Sequence, residues 1–132
     1  MRYIGNHFYH FLIIQSDVMN KREIGKNYED KAKNYLLKNG YEIIESNFSC
    51  RIGEIDIIAK NEGYLCFIEV KYRDANSLAK GLYAVDKAKQ KKIYKVAQVY
   101  LMDKKINNET ACRFDVVSID GNEISLIKNA FP

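Results

Sequence analysis

The chain has 132 residues, 47% of them hydrophobic and 29% charged, with a net charge of +4; this describes one soluble globular domain and excludes a disordered chain. No apolar run reaches the roughly 18 residues that a membrane helix needs. The only histidines are His7 and His10, which excludes Ser-His-Asp or Cys-His machinery and a paired-His zinc hydrolase in the rest of the chain and leaves carboxylate, lysine and tyrosine chemistry.

Residues 1–24 differ from the rest of the chain, because His7 to Ile14 is apolar and aromatic without a helical or strand period. Arg2 before that run has the opening of a signal peptide, but no small-residue cleavage site comes after it. Met19-Asn20-Lys21-Arg22 reads as a natural start, with residues 1–18 upstream of it; residues 1–24 are expected to be an N-terminal extension of unknown role and 25–132 the domain. His7 and His10 lack further ligands for a metal. From Gly25 the pattern is helical: Tyr28, Ala32, Tyr35 and Leu36 share a stripe, and Asn39-Gly40 ends it. Glu29 falls beside that stripe, either as a helix N-terminal charge or as a group aimed into a site the helix covers.

Three strand-like runs come next, Tyr41 to Ser49, Glu54 to Lys60 and Tyr64 to Tyr72, with Asn61-Glu62-Gly63 as the turn between the last two. A second helix is expected near Ala84 to Leu101, with Ile93, Val96, Ala97, Tyr100 and Leu101 at helical spacing. Residues Ala111 to Ile119 and Asn122 to Lys128 form a closing hairpin around Asp120-Gly121. The order αβββαββ predicts an α/β fold with a mixed sheet flanked by helices. Cys50, Cys66 and Cys112 are odd in number and widely spaced, which argues for reduced thiols in a cytoplasm rather than disulfides or a zinc knuckle.

The positive excess lies in residues 74–105, with eight basic against three acidic groups. Lys87, Lys89, Lys91, Lys92 and Lys95 dominate it, as a phosphate-contacting surface or as an ordinary solvated helix face. On the helical wheel Lys89 falls within the apolar face, suited to a phosphate or a carboxylate, while Lys91 and Lys95 fall opposite it.

The chemistry concentrates in Leu65-Cys66-Phe67-Ile68-Glu69-Val70-Lys71, where Glu69 and Lys71 share one face of an apolar strand. In the preceding strand Ile55, Ile57 and Ala59 share a face, and Asp56 lies on the other with Glu54 and Ile58. A four-residue loop, Asn61 to Tyr64, sets Asp56 opposite Glu69, and a two-residue loop sets it opposite Phe67, still on that face. An isolated E-x-K would be read as a same-face ion pair. Two carboxylates at matching parity in apolar surroundings instead repel unless a cation sits between them, and Mg²⁺ suits such a site.

Gly53-Glu54-Ile55-Asp56-Ile57-Ile58-Ala59 followed by Phe67-Ile68-Glu69-Val70-Lys71-Tyr72-Arg73 resembles the YraN-like family of small uncharacterised bacterial proteins, within the PD-(D/E)xK nuclease superfamily. The resemblance runs from about Gly25 to Ile127 and includes Glu29, Asn47, Arg51, Lys89-Gln90 and Arg113-Phe114-Asp115. It implies a restriction endonuclease-like fold related to archaeal Holliday-junction resolvases. It further implies that Asp56 and Glu69 bind Mg²⁺ or Mn²⁺, with Glu29 joining directly or through water, and that Lys71 assists the attacking water. Ile55 stands where the superfamily name has Pro, and Tyr28 replaces a Gly often found before the helix Glu. Gln90 and Tyr94 are spaced like the Q-x-x-x-Y element of some recombination nucleases.

The expected function is a metal-dependent endonuclease acting on branched or structured DNA, with Arg51, Arg73, Lys89 and Gln90 holding the nucleic acid and a homodimer as a candidate assembly. The alternative is a nucleic-acid-binding module that keeps the nuclease fold with weak or no catalysis. A structural partner of a larger assembly would leave the carboxylates unexplained.

Overall fold

A computed structural model of the chain describes residues 23–73 and 85–131; residues 1–22 of the expected extension, with His7, His10 and the expected start at Met19, lie outside the described residues. Helix α1 covers residues 23–38. Strands β1 (Glu42–Ser49), β2 (Glu54–Asn61) and β3 (Tyr64–Arg73) follow, then helix α2 (Lys87–Asp103), β4 (Cys112–Asp120) and β5 (Glu123–Ile127). The predicted order αβββαββ holds, consistent with a restriction endonuclease-like fold. The second helix is expected from Ala84, which is outside the described residues. It starts instead after Asp86, whose carboxylate accepts the Lys89 N–H at 2.8 Å and caps the first turn.

The strands form one sheet in the order β1-β2-β3-β4-β5, antiparallel except for the β3–β4 pair, which is parallel. The lone parallel pairing follows from the sequence, because α2 must carry the chain back to the other end of β3 before β4 can start. Covered on both faces, β3 is the central strand, which is why its sequence is nearly continuous apolar rather than alternating. Ala32 and Leu36 of α1 pack on Ile57, Ala59, Cys66, Ile68, Val117 and Ile119. On the opposite face Ile93, Val96, Ala97 and Tyr100 of α2 pack on Ile55, Ile58, Phe67 and Val116.

This allocation corrects one expectation. Ile55 lies in the α2-side core and Ile57 in the α1-side core, so β2 changes faces at Asp56. Beside this step, Asn47 on β1 sits between the pairs Ser46↔Ile57 and Phe48↔Ile55 with φ +55°. A left-handed residue twists the pair sharply, and strict alternation fails there.

A second polar cluster ties the far end of the sheet. Arg113 and Asp115 on β4 are buried and bonded, and the Arg113 guanidinium also donates to the Tyr41 hydroxyl at 3.0 Å and the Asn61 side-chain oxygen at 2.7 Å. The Tyr41 O–H donates to Asp115 at 2.8 Å, as does the Asn129 N–H at 2.9 Å. Burial, with the Asp115 contact, pushes the Tyr41 phenol well above its usual range. Cys50, Cys66 and Cys112 are all free. Burial pushes the Cys66 thiol up to about 12, which leaves it a packing group and not a nucleophile. Among the described residues no helix is long and apolar enough to cross a membrane.

Candidate metal and nucleic-acid site

The β2–β3 hairpin turns through Glu62 and Gly63, with φ +53° and +81°, in the two-residue geometry that matches strand twist. Pairing runs from Asn61↔Tyr64 to Ile57↔Ile68. Continued by one step, that register sets Asp56 opposite Glu69. From sequence this partner goes with a four-residue loop and Phe67 with a two-residue one; the difference arises because the turn is centred on Glu62-Gly63, which leaves Asn61 and Tyr64 paired. The backbone ladder is replaced there by a side chain: Asp56 Oδ2 accepts the Val70 N–H at 2.8 Å. The carboxylate is thus fixed at the seam between the two strands.

From the α1 side, Asp56 borders a pocket of about 120 Å³ with Gly25, Tyr28, Glu29, Val70 and Tyr72. Glu29 therefore lines the same pocket as Asp56, whereas its position beside the helix stripe leaves open a helix N-terminal charge or a group aimed into a site. Its Oε1 is already engaged, accepting from Asn47 Nδ2 at 2.9 Å and facing Lys33 Nζ at 3.1 Å. Asn47 was legible only through its place in the resemblance. The structure gives it two tasks, since the same residue supplies the strand twist and holds Glu29.

From the α2 side comes Glu69, buried, its Oε1 bonded to the ammonium of Lys89. Lys89 has its side chain half exposed, and the apolar-face position read from the helical wheel delivers it to a carboxylate of the site. Burial alone would lower the Lys89 pKa, but its bond to Glu69 and the charges of Glu69 and Asp56 hold it above the usual lysine value. Lys91 and Lys95 are exposed, as expected. The Gln90 side-chain N–H donates to the Val85 carbonyl at 2.7 Å and closes the start of α2. Arg51 is exposed in the turn before β2, while Lys71 and Arg73 are half-buried on β3. These two run parallel to Ser118 and Asp120 of β4.

Burial first, and next the Glu69 charge, push the Asp56 carboxyl up to about 7, against the Val70 N–H and Lys89, which pull it down. The fit to a divalent cation follows from this chemistry. A buried carboxyl facing a second carboxylate gains most from a bound positive charge, and the donors are all oxygens, as Mg²⁺ and Mn²⁺ prefer. Among the described residues no three of His, Cys, Asp and Glu gather into a metal cage. The residues therefore fit a site of one or two carboxylates completed by water and substrate phosphate, the usual mode of Mg²⁺.

The raised Asp56 carboxyl sets a pH dependence. Between its ordinary value near ~4 and about 7 the native state holds a proton that the unfolded chain has released, so stability falls as pH rises through that window, by at most about 1.4 kcal/mol per pH unit. In EDTA, urea denaturation of Asp56→Asn is expected to lack that slope. Equal slopes for the variant and its parent would count against the burial of this carboxyl as the cause.

The model of a family described as "Uncharacterised protein family UPF0102" matches residues 28–119, which span every site residue above except Gly25. The chain belongs to the UPF0102 family. It is 47% identical to the UPF0102 protein of Lachnoclostridium phytofermentans over 115 residues, 86% of this chain and 96% of that one. A UPF0102 protein of Fusobacterium nucleatum is 47% identical over 111 residues, covering 84% and 92%; one from Legionella pneumophila is 42% identical over 112 residues, covering 83% and 95%. Membership in UPF0102, the YraN-like family, agrees with the resemblance carried by the Gly-Glu-Ile-Asp and Glu-Val-Lys runs. Among solved structures the chain is similar to the crystal structure of SSO0001, with a TM-score of 0.44 and 19% identity over 99% of this chain and 62% of the other.

Proposed function

We propose that this UPF0102 chain is a metal-dependent endonuclease domain that hydrolyses phosphodiester bonds in branched or structured DNA. The observation that carries the reading is the Asp56 carboxyl, held at a strand seam by Val70 and pushed up by burial and by Glu69. A fold maintains that arrangement at a cost, and a cation between the carboxylates would relieve it while also attracting a phosphate.

Asp56 and Glu69 would hold Mg²⁺ or Mn²⁺, with Glu29 reaching it directly or through water. When bound, the cation supplies positive charge to the scissile phosphate and lowers the pKa of water. Lys71, two residues beyond Glu69 on the same face, orients the attacking water and stabilises developing negative charge. Lys89 has the complementary task of neutralising Glu69. Arg51 and Arg73 hold the backbone of the nucleic acid, which fixes position without reading bases.

The Lys89–Glu69 ion pair also favours a second reading, a DNA-binding module with weak catalysis, because a cation must displace that ammonium to use both Glu69 oxygens. Labelled junction, flap, single-strand and duplex substrates, incubated with Mg²⁺ or Mn²⁺, separate the two. Cleavage of the branched substrates is expected. Binding without cleavage by either metal would hand the lead to the module. A melting scan without DNA reads the metal site apart from chemistry: cation at about 100 times its Kd adds about 2.7 kcal/mol, and Asp56→Asn is expected to abolish the shift.

A further inference from the structure

Beside the carboxylates, Tyr28 of α1 and Tyr72 of β3 stack with ring centroids 4.2 Å apart and planes 11° from parallel. Both rings line the pocket that holds Glu29 and Asp56. Tyr72 is nevertheless 51% exposed, so this is not a core contact. Tyr28 covers one side of the Tyr72 ring and fixes its orientation, and Lys31 Nζ lies 5.6 Å from the Tyr28 centroid. A rigidly backed, solvent-facing aromatic ring next to a phosphate-handling site has the properties of a stacking surface. At about 120 Å³ the pocket itself is narrow, which leaves the open ring surface, and not the pocket, as the place for a planar group.

We infer that Tyr72 is a platform on which an unpaired nucleobase stacks when the neighbouring phosphate lies at Asp56, and that it sets the substrate class of the site. This rests on the nuclease reading and deepens it. In a continuous duplex both faces of every base are already stacked, so only an unpaired nucleotide offers a face to the ring without first being extruded. The platform therefore selects DNA with an unpaired nucleotide beside the scissile phosphate, as in a flap or at a branch point, over uninterrupted duplex. It also gives a role to Tyr28, whose ring backs Tyr72.

The test uses the full chain in EDTA, where nothing is cleaved, with a flap oligonucleotide carrying 2-aminopurine at the unpaired position and a matched duplex. Emission, which falls on stacking, and anisotropy are read together. The parent is expected to quench the flap probe and to prefer flap to duplex. Tyr72→Leu is expected to lose about 5- to 150-fold in flap affinity, the scale of one base stacked on an aromatic ring, with duplex affinity unchanged. Tyr72→Phe is expected to keep both quenching and preference. Because flap and duplex are measured on one preparation, a partly unfolded variant lowers both affinities and leaves their ratio intact. An unchanged flap-to-duplex ratio in Tyr72→Leu overturns the inference, and so does an equal loss in Tyr72→Phe. Adding Mg²⁺ to the same flap separates the two readings. Ring-dependent preference without cleavage defeats the nuclease and upholds the platform, whereas cleavage with no ring dependence defeats the platform alone.

Discussion

Lys71→Ala is expected to lower cleavage by about 10²-fold or more, the scale seen when one preorganised charge-stabilising donor is lost, with DNA affinity little changed. Position is the reason. Lys71 follows Glu69 by two residues on central strand β3 and shares its face by strand alternation, so in the proposed function it would project toward the same phosphate as the carboxylates proposed to hold the metal. The control is Lys91→Ala, which removes the same charge from the exposed side of α2. It should cost only a modest, salt-sensitive share of affinity. Comparing the two isolates chemistry from general electrostatics. Should Lys71→Ala cleave as well as the parent, the activity would come from elsewhere in the chain or from a contaminant.

The other large effect is expected far from the site. Arg113→Met should destabilise the fold by about 3–5 kcal/mol, the range for a buried pair deprived of one partner. Asp115 has no exposed surface, and Arg113 meets its carboxylate through Nε at 2.9 Å and a terminal nitrogen at 2.9 Å. Removing the guanidinium leaves that charge buried with the neutral Tyr41 and Asn129 donors and the weak Cys66 thiol, and also strips the Asn61 oxygen of its partner. Arg113→Met combined with Asp115→Asn should lose less than Arg113→Met alone, because no uncompensated charge remains. Urea unfolding followed by circular dichroism reads both, the chain having no Trp. A loss under about 1 kcal/mol for Arg113→Met would mean that water reaches Asp115 and that the cluster is not a sealed network.

Local sequence determined the parts of this protein that depend on neighbours in the chain. The two helix stripes, the Asn39-Gly40 stop and the apolar run of β3 depend on spacing alone. The parity that puts Asp56 and Glu69 on one face of the hairpin was legible, but the register that sets them opposite each other depends on where the two-residue turn is centred, at Glu62-Gly63, and not on its length alone. Glu69 and Lys71 share a face because strand side chains repeat every second residue. The same rule failed at Ile55, where the left-handed Asn47 on a different strand twists the pair and moves Ile55 to the other core. The helical wheel puts Lys89 on the apolar side of its helix, yet its partner Glu69 and the Gln90 bond to Val85 depend on where α2 lands.

Only the tertiary structure decided which distant side chains meet. Asn47 holds Glu29 across 18 positions, Tyr41 reaches Asp115 across 74, and Tyr28 stacks on Tyr72. Each contact joins elements brought together by sheet order, helix crossing and local twist. Those are set by the burial of both apolar faces of the sheet at once, a condition on the whole chain that no single stretch of residues contains.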